Sequence, residues 1–228
     1  MNDRSFHDEF CTVERLRFQL LRNRSVYEMT DLGSLGDKNQ SRNKDVSIRD
    51  VIKNSSVKPV YGRFLFRMAR YFKPSVTLEL GTSLGISTSY LSMGNPEGHI
   101  TTVEGCPATA EIAAKNFKYL GLTNIDQIIG PFEKVLPDIF EKLGKIGLIF
   151  IDGNHRKEPV LHYFYQCLQH IHDDSVIIFD DIHWSKEMEE AWKVIRENPS
   201  VTVSIDLFRI GLVFFKEGLS KEDFILHF

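Results

Sequence analysis

The run VTLELGTSLGIS, Val76 to Ser87, decides the fold. Its first five residues are apolar except for Glu79 and one threonine. A run this short, rich in aliphatic and β-branched side chains, suits a strand buried on both faces. Gly81 and Gly85 follow, and a helical segment begins near Gly85. Two glycines let the turn fold tightly and let a ligand approach the backbone, while the helix start offers free N–H groups to a carboxylate or phosphate. The spacing is not G-x-G-x-x-G, because Ser83 holds the middle position and residue 86 is Ile. A turn tightened only for packing explains the same glycines.

Beyond this unit the pattern repeats. Short apolar runs recur as HITTVE (99–104), NIDQII (124–129), GLIFID (147–152) and SVIIFDD (175–181). Helical stripes lie between them: Pro107 to Leu120, Arg156 to Ile171, and Ser185 to Asn198 with Met188, Ala191, Trp192 and Ile195 on one side. Strand–helix alternation predicts right-handed crossovers and a parallel sheet covered on both faces. VTVSIDLF (201–208) and IGLVFFK (210–216) then meet at Arg209 with no helix between them, which is a hairpin. The expectation is α/β: a Rossmann-like, doubly wound, mostly parallel seven-stranded sheet with a terminal antiparallel hairpin, preceded by N-terminal helices.

Upstream, Phe10, Val13, Leu16 and Leu20 form a helical stripe within Phe6 to Asn23. Asp31 to Asp45, rich in Gly, Asn, Ser and charge, reads as a flap, with Gly33–Lys44 covering a pocket. Pro59 opens a further helix, which Lys73-Pro74 closes. Residues 1–58 are therefore expected to form a cap, and 59–228 the main domain.

The chain of 228 residues is 42% hydrophobic, enough for one sizeable core. No apolar run is long enough to span a bilayer, and the polar start MNDRSFHDEF is not a secretory signal. Cys11, Cys106 and Cys167 lie far apart, against a zinc knuckle or disulfide framework. A net charge of -3 gives no general attraction to nucleic acid or anionic lipid. We expect a cytoplasmic protein acting on a small molecule, with neither nucleic acid nor membrane as partner. Aromatics at Phe64, Phe66 and Tyr71 permit a homodimer.

Ligands of a doubly wound sheet bind beyond the carboxyl ends of its strands. Five acids fall there: Glu79, Glu104, Asp152, Asp180 and Asp181. Glu104 is placed to accept both hydroxyls of a ribose, or else simply to cap an exposed strand end. Asp152, Asp180 and Asp181 would repel one another unless protonated or neutralised by a cation. Oxygen ligands alone suit Mg²⁺ or Ca²⁺; a strand cap at Asp152 and a helix start at Asp181 are the competing roles. His155, three residues past Asp152, is suited to accept a proton near neutral pH, or it is a surface or supporting histidine. His183 and Trp184 either line an acceptor pocket or pack at a helix start.

LELGTSLGISTSYL, followed by TTVEG, IIGPF, FIDGNH and IIFDDIHW, resembles class I S-adenosylmethionine-dependent methyltransferases. Within these it is nearest to the catechol-type and sugar-modifying O-methyltransferase branch. The resemblance covers roughly Pro59 to Lys216. It implies that Glu79 meets the methionine amino group, and that Gly81, Thr82, Ser83, Gly85 and Ser87 flank the carboxylate. Glu104 with Gly105 would hold the ribose, Gly130 and Pro131 would border the adenine, and Asp152 would also touch the cofactor. In catechol-type relatives the positions of Asp152, Asp180 and Asp181 hold Mg²⁺, which lowers the pKa of the acceptor hydroxyl. The last of these is often Asn there, and a lysine proposed as base stands where His155 stands here. Asp152 and His155 are thus the implied catalytic pair. The activity implied is methyl transfer from S-adenosylmethionine to a small-molecule hydroxyl activated by a divalent metal. A metal-independent N-methyltransferase and a non-catalytic nucleoside-binding protein are the alternatives. A nicotinamide oxidoreductase is disfavoured by the missing glycine and the terminal hairpin.

Overall fold

The computed structural model describes residues 7–31 and 42–227. Its centre is a parallel array of short buried strands: β3 (Val76–Leu80), β4 (His99–Glu104), β5 (Ile125–Ile129), β6 (Leu148–Ile151) and β7 (Val176–Phe179). β8 (Val203–Asp206) and β9 (Gly211–Phe214) form the expected antiparallel hairpin, and β9 runs antiparallel to β7. An eighth strand corrects the count of seven: β10 (Glu222–Ile225) adds in parallel to β8. All four of its residues are exposed, so no apolar run marks it. The sheet order is β10-β8-β9-β7-β6-β3-β4-β5. The chain leaves β3 to one side, returns, and places β6 on the other, so the crevice opens beyond β3 and β6.

Alternation along the strands divides the core into two layers. Phe150, Ile178 and Leu212 face a cluster with α1 (Asp8–Arg22), α2 (Ile48–Ser55), α3 (Pro59–Phe72) and α4 (Ile86–Gly94). Ile149, Ile151, Ile177 and Val213 face α6 (Phe132–Leu143), α7 (Lys157–Cys167) and α8 (Lys186–Glu197). α5 (Pro107–Leu120) has the predicted limits and ends on Gly121 in the left-handed conformation. α6 is absent from the sequence reading, since Pro137 inside it is a helix breaker.

The N-terminal part differs most from expectation. The stretch expected to be a flap, Asp31 to Asp45, overlaps two antiparallel strands, β1 (Val26–Asp31) and β2 (Arg42–Ser47), which take Asp31 and residues 42–45 from it; residues 32–41 lie outside the described residues. Tyr27 and Met29, two apart, pack with Val46 on the core, a strand period hidden among charged neighbours. Phe64 and Phe66 are buried rather than available to a dimer, leaving Tyr71, at 80% exposure, as the surface aromatic of the three. Among the described residues no helix is long and apolar enough to cross a membrane.

Candidate active site

The turn after β3 is fixed from both sides. The N–H groups of Gly81 and Thr82 both donate to the Val103 carbonyl, at 3.0 and 3.1 Å. Gly81 has φ of 110°, and a Cβ there would collide with the Asp152 carbonyl oxygen, so only glycine fits. Ser83, also left-handed, donates its N–H to Glu104 Oε2 at 2.8 Å, while Glu104 Oε1 accepts from the Cys106 N–H at 2.9 Å. Glu104 therefore clamps the turn to the end of β4. Burial raises its pKa, opposed by the Cys106, Ser83 and Gly105 amides. Gly130 donates its N–H to the Glu104 carbonyl at 2.9 Å, and Pro131, the next residue, caps α6.

Glu79 is fully buried. Its Oε2 accepts the Thr88 hydroxyl at 2.5 Å and the Thr102 hydroxyl at 2.6 Å, and Thr82 bonds Thr102 in turn. Its Oε1 has no hydrogen-bond partner among the described residues. Burial pushes this carboxyl up to about 7, against the pull of the Thr102, Thr88 and Ser87 hydroxyls. A buried orphan acceptor is costly, and an ammonium group satisfies it. The residues thus fit the amino-acid end of S-adenosylmethionine. Thr82, Ser83 and Ser87 of the neighbouring turn and Asp152 line a small cavity together with Ser55, Ser56 and Val57, where α2 gives way to α3. A larger surface hollow between α6 and α7, lined by Phe140 and Gln166 among others, includes none of the strand-end acids.

Asp152, Asp180 and Asp181 do converge beyond β6 and β7. Burial and the charges of Asp180 and Asp181 raise the Asp152 pKa well above the usual carboxylate range; burial and Asp180 raise that of Asp181. His155 faces both, its Nε2 at 3.7 Å from Asp152 Oδ1 and 4.0 Å from Asp181 Oδ2. The neighbouring loop is held by Asn154, whose amide reaches the Tyr163 hydroxyl, which donates to Glu133 at 2.6 Å.

The expected three-acid metal set does not form. Arg209 lies among these acids, its Nε and Nη2 each 2.9 Å from one oxygen of Asp180 and its Nε 3.2 Å from Asp181 Oδ1. Both oxygens of Asp180 are thereby engaged, and among the described residues no group of three is arranged to hold an ion. The present side-chain arrangement does not fit Mg²⁺. In the sequence Arg209 is merely the joint of the hairpin; its one signal is a lone charge between two apolar strands.

His183 turns to Asp206, with Nε2 at 2.8 Å from Oδ2, a carboxylate that also accepts the Trp192 indole N–H at 3.1 Å. Trp184 is 72% exposed, so packing at the helix start is excluded for it.

The strand order and glycine turn belong to the fold seen in solved O-methyltransferases. Residues 78–182 match the family model described as a methyltransferase domain. The chain is 35% identical over 130 residues to a catechol O-methyltransferase of Niastella koreensis, covering 56% of this chain and 58% of that protein. It is 31% identical over 123 residues to a catechol O-methyltransferase of Mycobacterium tuberculosis, covering 53% and 54%. The matched region thus spans a little over half the length of these relatives. The O-methyltransferase from Bacillus cereus, solved with S-adenosylhomocysteine (SAH), superposes with a TM-score of 0.66 over 93% of both chains at 19% identity, a likeness of fold. In sequence, the resemblance is to these catechol O-methyltransferases.

Proposed function

We propose that this chain binds S-adenosylmethionine at the carboxyl ends of β3 and β4 and methylates a hydroxyl of a small molecule. The reading is carried by Glu79, whose Oε1 is sealed in the core without a partner at the end of the central strand. Glu79 holds the ammonium group; the turn from Gly81 to Ser87 flanks the carboxylate; Glu104 with Gly105 holds the ribose hydroxyls; Gly130 and Pro131 border the base. The cofactor, when bound, would supply a sulfonium methyl for transfer to the acceptor oxygen. The chain must align the acceptor and accept its proton. His155 takes that proton at Nε2, which lies 3.7 Å from Asp152 Oδ1 and 4.0 Å from Asp181 Oδ2.

The names of the two curated relatives carry O-methyl transfer, and a divalent ion was the expected activator of the hydroxyl. With Arg209 on the acids, no step is assigned to an ion. The guanidinium also weakens the case for a cationic amine as acceptor, because a cation already occupies the acidic crevice.

Isothermal titration calorimetry with S-adenosylmethionine and SAH tests the reading. Saturable binding is expected, with Glu104→Ala weakening it by about tenfold or more through the lost hydroxyl contacts and the loosened turn. An absence of binding to either nucleoside by the purified, ligand-stripped protein sinks the proposal. Wild-type affinity in the variant removes the ribose assignment.

A further inference from the structure

We infer that Arg209 replaces a divalent cation in this chain: its guanidinium, locked between Asp180 and Asp181, is the permanent counter-charge of the acidic crevice. The inference rests on the methyl-transfer reading for its meaning in catalysis, though the lock itself stands on geometry.

Asp180 is 1% exposed and receives a two-pronged contact from Arg209. Paired N–H donors on a carboxylate are the geometry in which arginine binds most selectively. An ion reaching Asp180 would have to displace both prongs and leave a guanidinium in a partly buried site without its acid.

The backbone around Arg209 is equally committed. Its N–H donates to the Leu207 carbonyl at 2.9 Å, its carbonyl accepts from Ile182 at 3.1 Å, and the Leu207 N–H meets the Ile210 carbonyl at 2.9 Å. Phe208, just before it, sits at φ of 73°, a conformation a bulky residue rarely adopts. The Phe208 N–H is held by Asp206 Oδ1 at 2.8 Å, and the other oxygen of Asp206 is fixed by Trp192 and His183. The Tyr61 ring of α3 lies against the guanidinium, 5.6 Å from ring centre to Cζ. A strained hairpin tip supported on this many sides aims one side chain. A pairing of exposed, flexible side chains would need no such frame.

The consequence is a site in which a guanidinium takes the place of an ion against Asp180 and Asp181. Arg209 is a positioning residue: it touches Asp180 and Asp181, and Asp181 in turn faces the proposed base His155.

Electron paramagnetic resonance of Mn²⁺ tests this on the full chain without any acceptor. Added Mn²⁺ should keep its free-ion signal in the presence of the wild-type protein. Arg209→Met should quench that signal saturably, because three acids then stand without their counter-charge, and Asp180→Asn in the same background should restore it. Saturable quenching by the wild type, abolished by Asp180→Asn alone, overturns the inference, as does a folded Arg209→Met variant that binds no ion. The wild-type titration decides the matter if that variant fails to fold. Calorimetry with S-adenosylmethionine on the same sample separates the two readings: loss of nucleoside binding strikes the proposed function, whereas the Mn²⁺ result strikes only the lock.

Discussion

A carboxyl group sealed inside a sheet keeps its proton unless something positive arrives. Glu79 is that group: burial lifts it from an ordinary 4.5 to about 7. The unfolded chain releases this proton near 4.5, so between there and about 7 the folded state binds more protons, and stability falls as pH rises through the window. The contribution is fully present below the unfolded value and lost above the folded one, on the order of 3 kcal/mol for a shift of this size. Thermal melts of the ligand-free protein from pH 4.5 to 7.5 should show this slope, and Glu79→Gln should flatten it. An ammonium placed against Oε1 favours the ionised form, so cofactor binding near pH 6 should expel a proton. Binding heats then vary with the ionisation enthalpy of the buffer; heats independent of buffer remove Glu79 as the amino partner. The placement of Glu79 and Glu104 at the strand ends is legible because an acid at the end of an apolar run is conspicuous. Arg209 is not, since its role depends on β9 pairing with β7, a long-range contact that brings the hairpin tip over Asp180.

At the level of elements, legibility followed the strength of the local period. α8 was predicted as Ser185 to Asn198 and has those residues as its two caps, with Met188, Ala191, Trp192 and Ile195 buried as the stripe required. The Ser185 hydroxyl accepts the Met188 N–H at 3.2 Å, a helix cap satisfying one of the orphan donors of the first turn. Ser185→Ala should cost about 1 kcal/mol. In a chain of this size that lowers the melting temperature by about 2–4 °C, without altering nucleoside affinity, because Ser185 is not among the residues that line the cavity at the glycine turn. An unchanged melting temperature would show that water serves the helix start as well as serine does. α6 and β10 escaped for opposite reasons. Three buried side chains, Leu136, Ile139 and Phe140, hold α6 in place despite Pro137, so packing overrides propensity. β10 carries two acids and buries nothing; it is held by backbone bonds such as Glu222 N–H to the Thr202 carbonyl, which no side-chain pattern announces.

The whole molecule joins its N-terminal segment to the site more closely than a detachable cap would require. Phe10, Val13, Leu16 and Leu20 of α1 lie in one core cluster with Phe66 and Tyr90, each burial stabilising by roughly 2 kcal/mol. Polar bonds run across the same boundary: the Tyr90 hydroxyl donates to Glu14 at 2.7 Å, and Arg17, which also pairs with Glu14, donates to the Ser56 hydroxyl at 2.9 Å. Ser56 in turn lines the cavity with Thr82, Ser87 and Asp152, so α1 braces the segment that borders the proposed cofactor site. Residues that share a core and a hydrogen-bond chain unfold together. Calorimetry of the full chain should therefore give one transition, with its measured enthalpy equal to the van't Hoff value, and saturating S-adenosylmethionine should raise that transition as a unit. Removal of residues 1–22 should yield aggregated or uncooperative protein, since Phe66 and Tyr90 would lose their cover. Two resolved transitions, or a truncated chain that melts sharply and still binds nucleoside, would show instead that the rest of the molecule folds without α1 and that α1 is separable from the site.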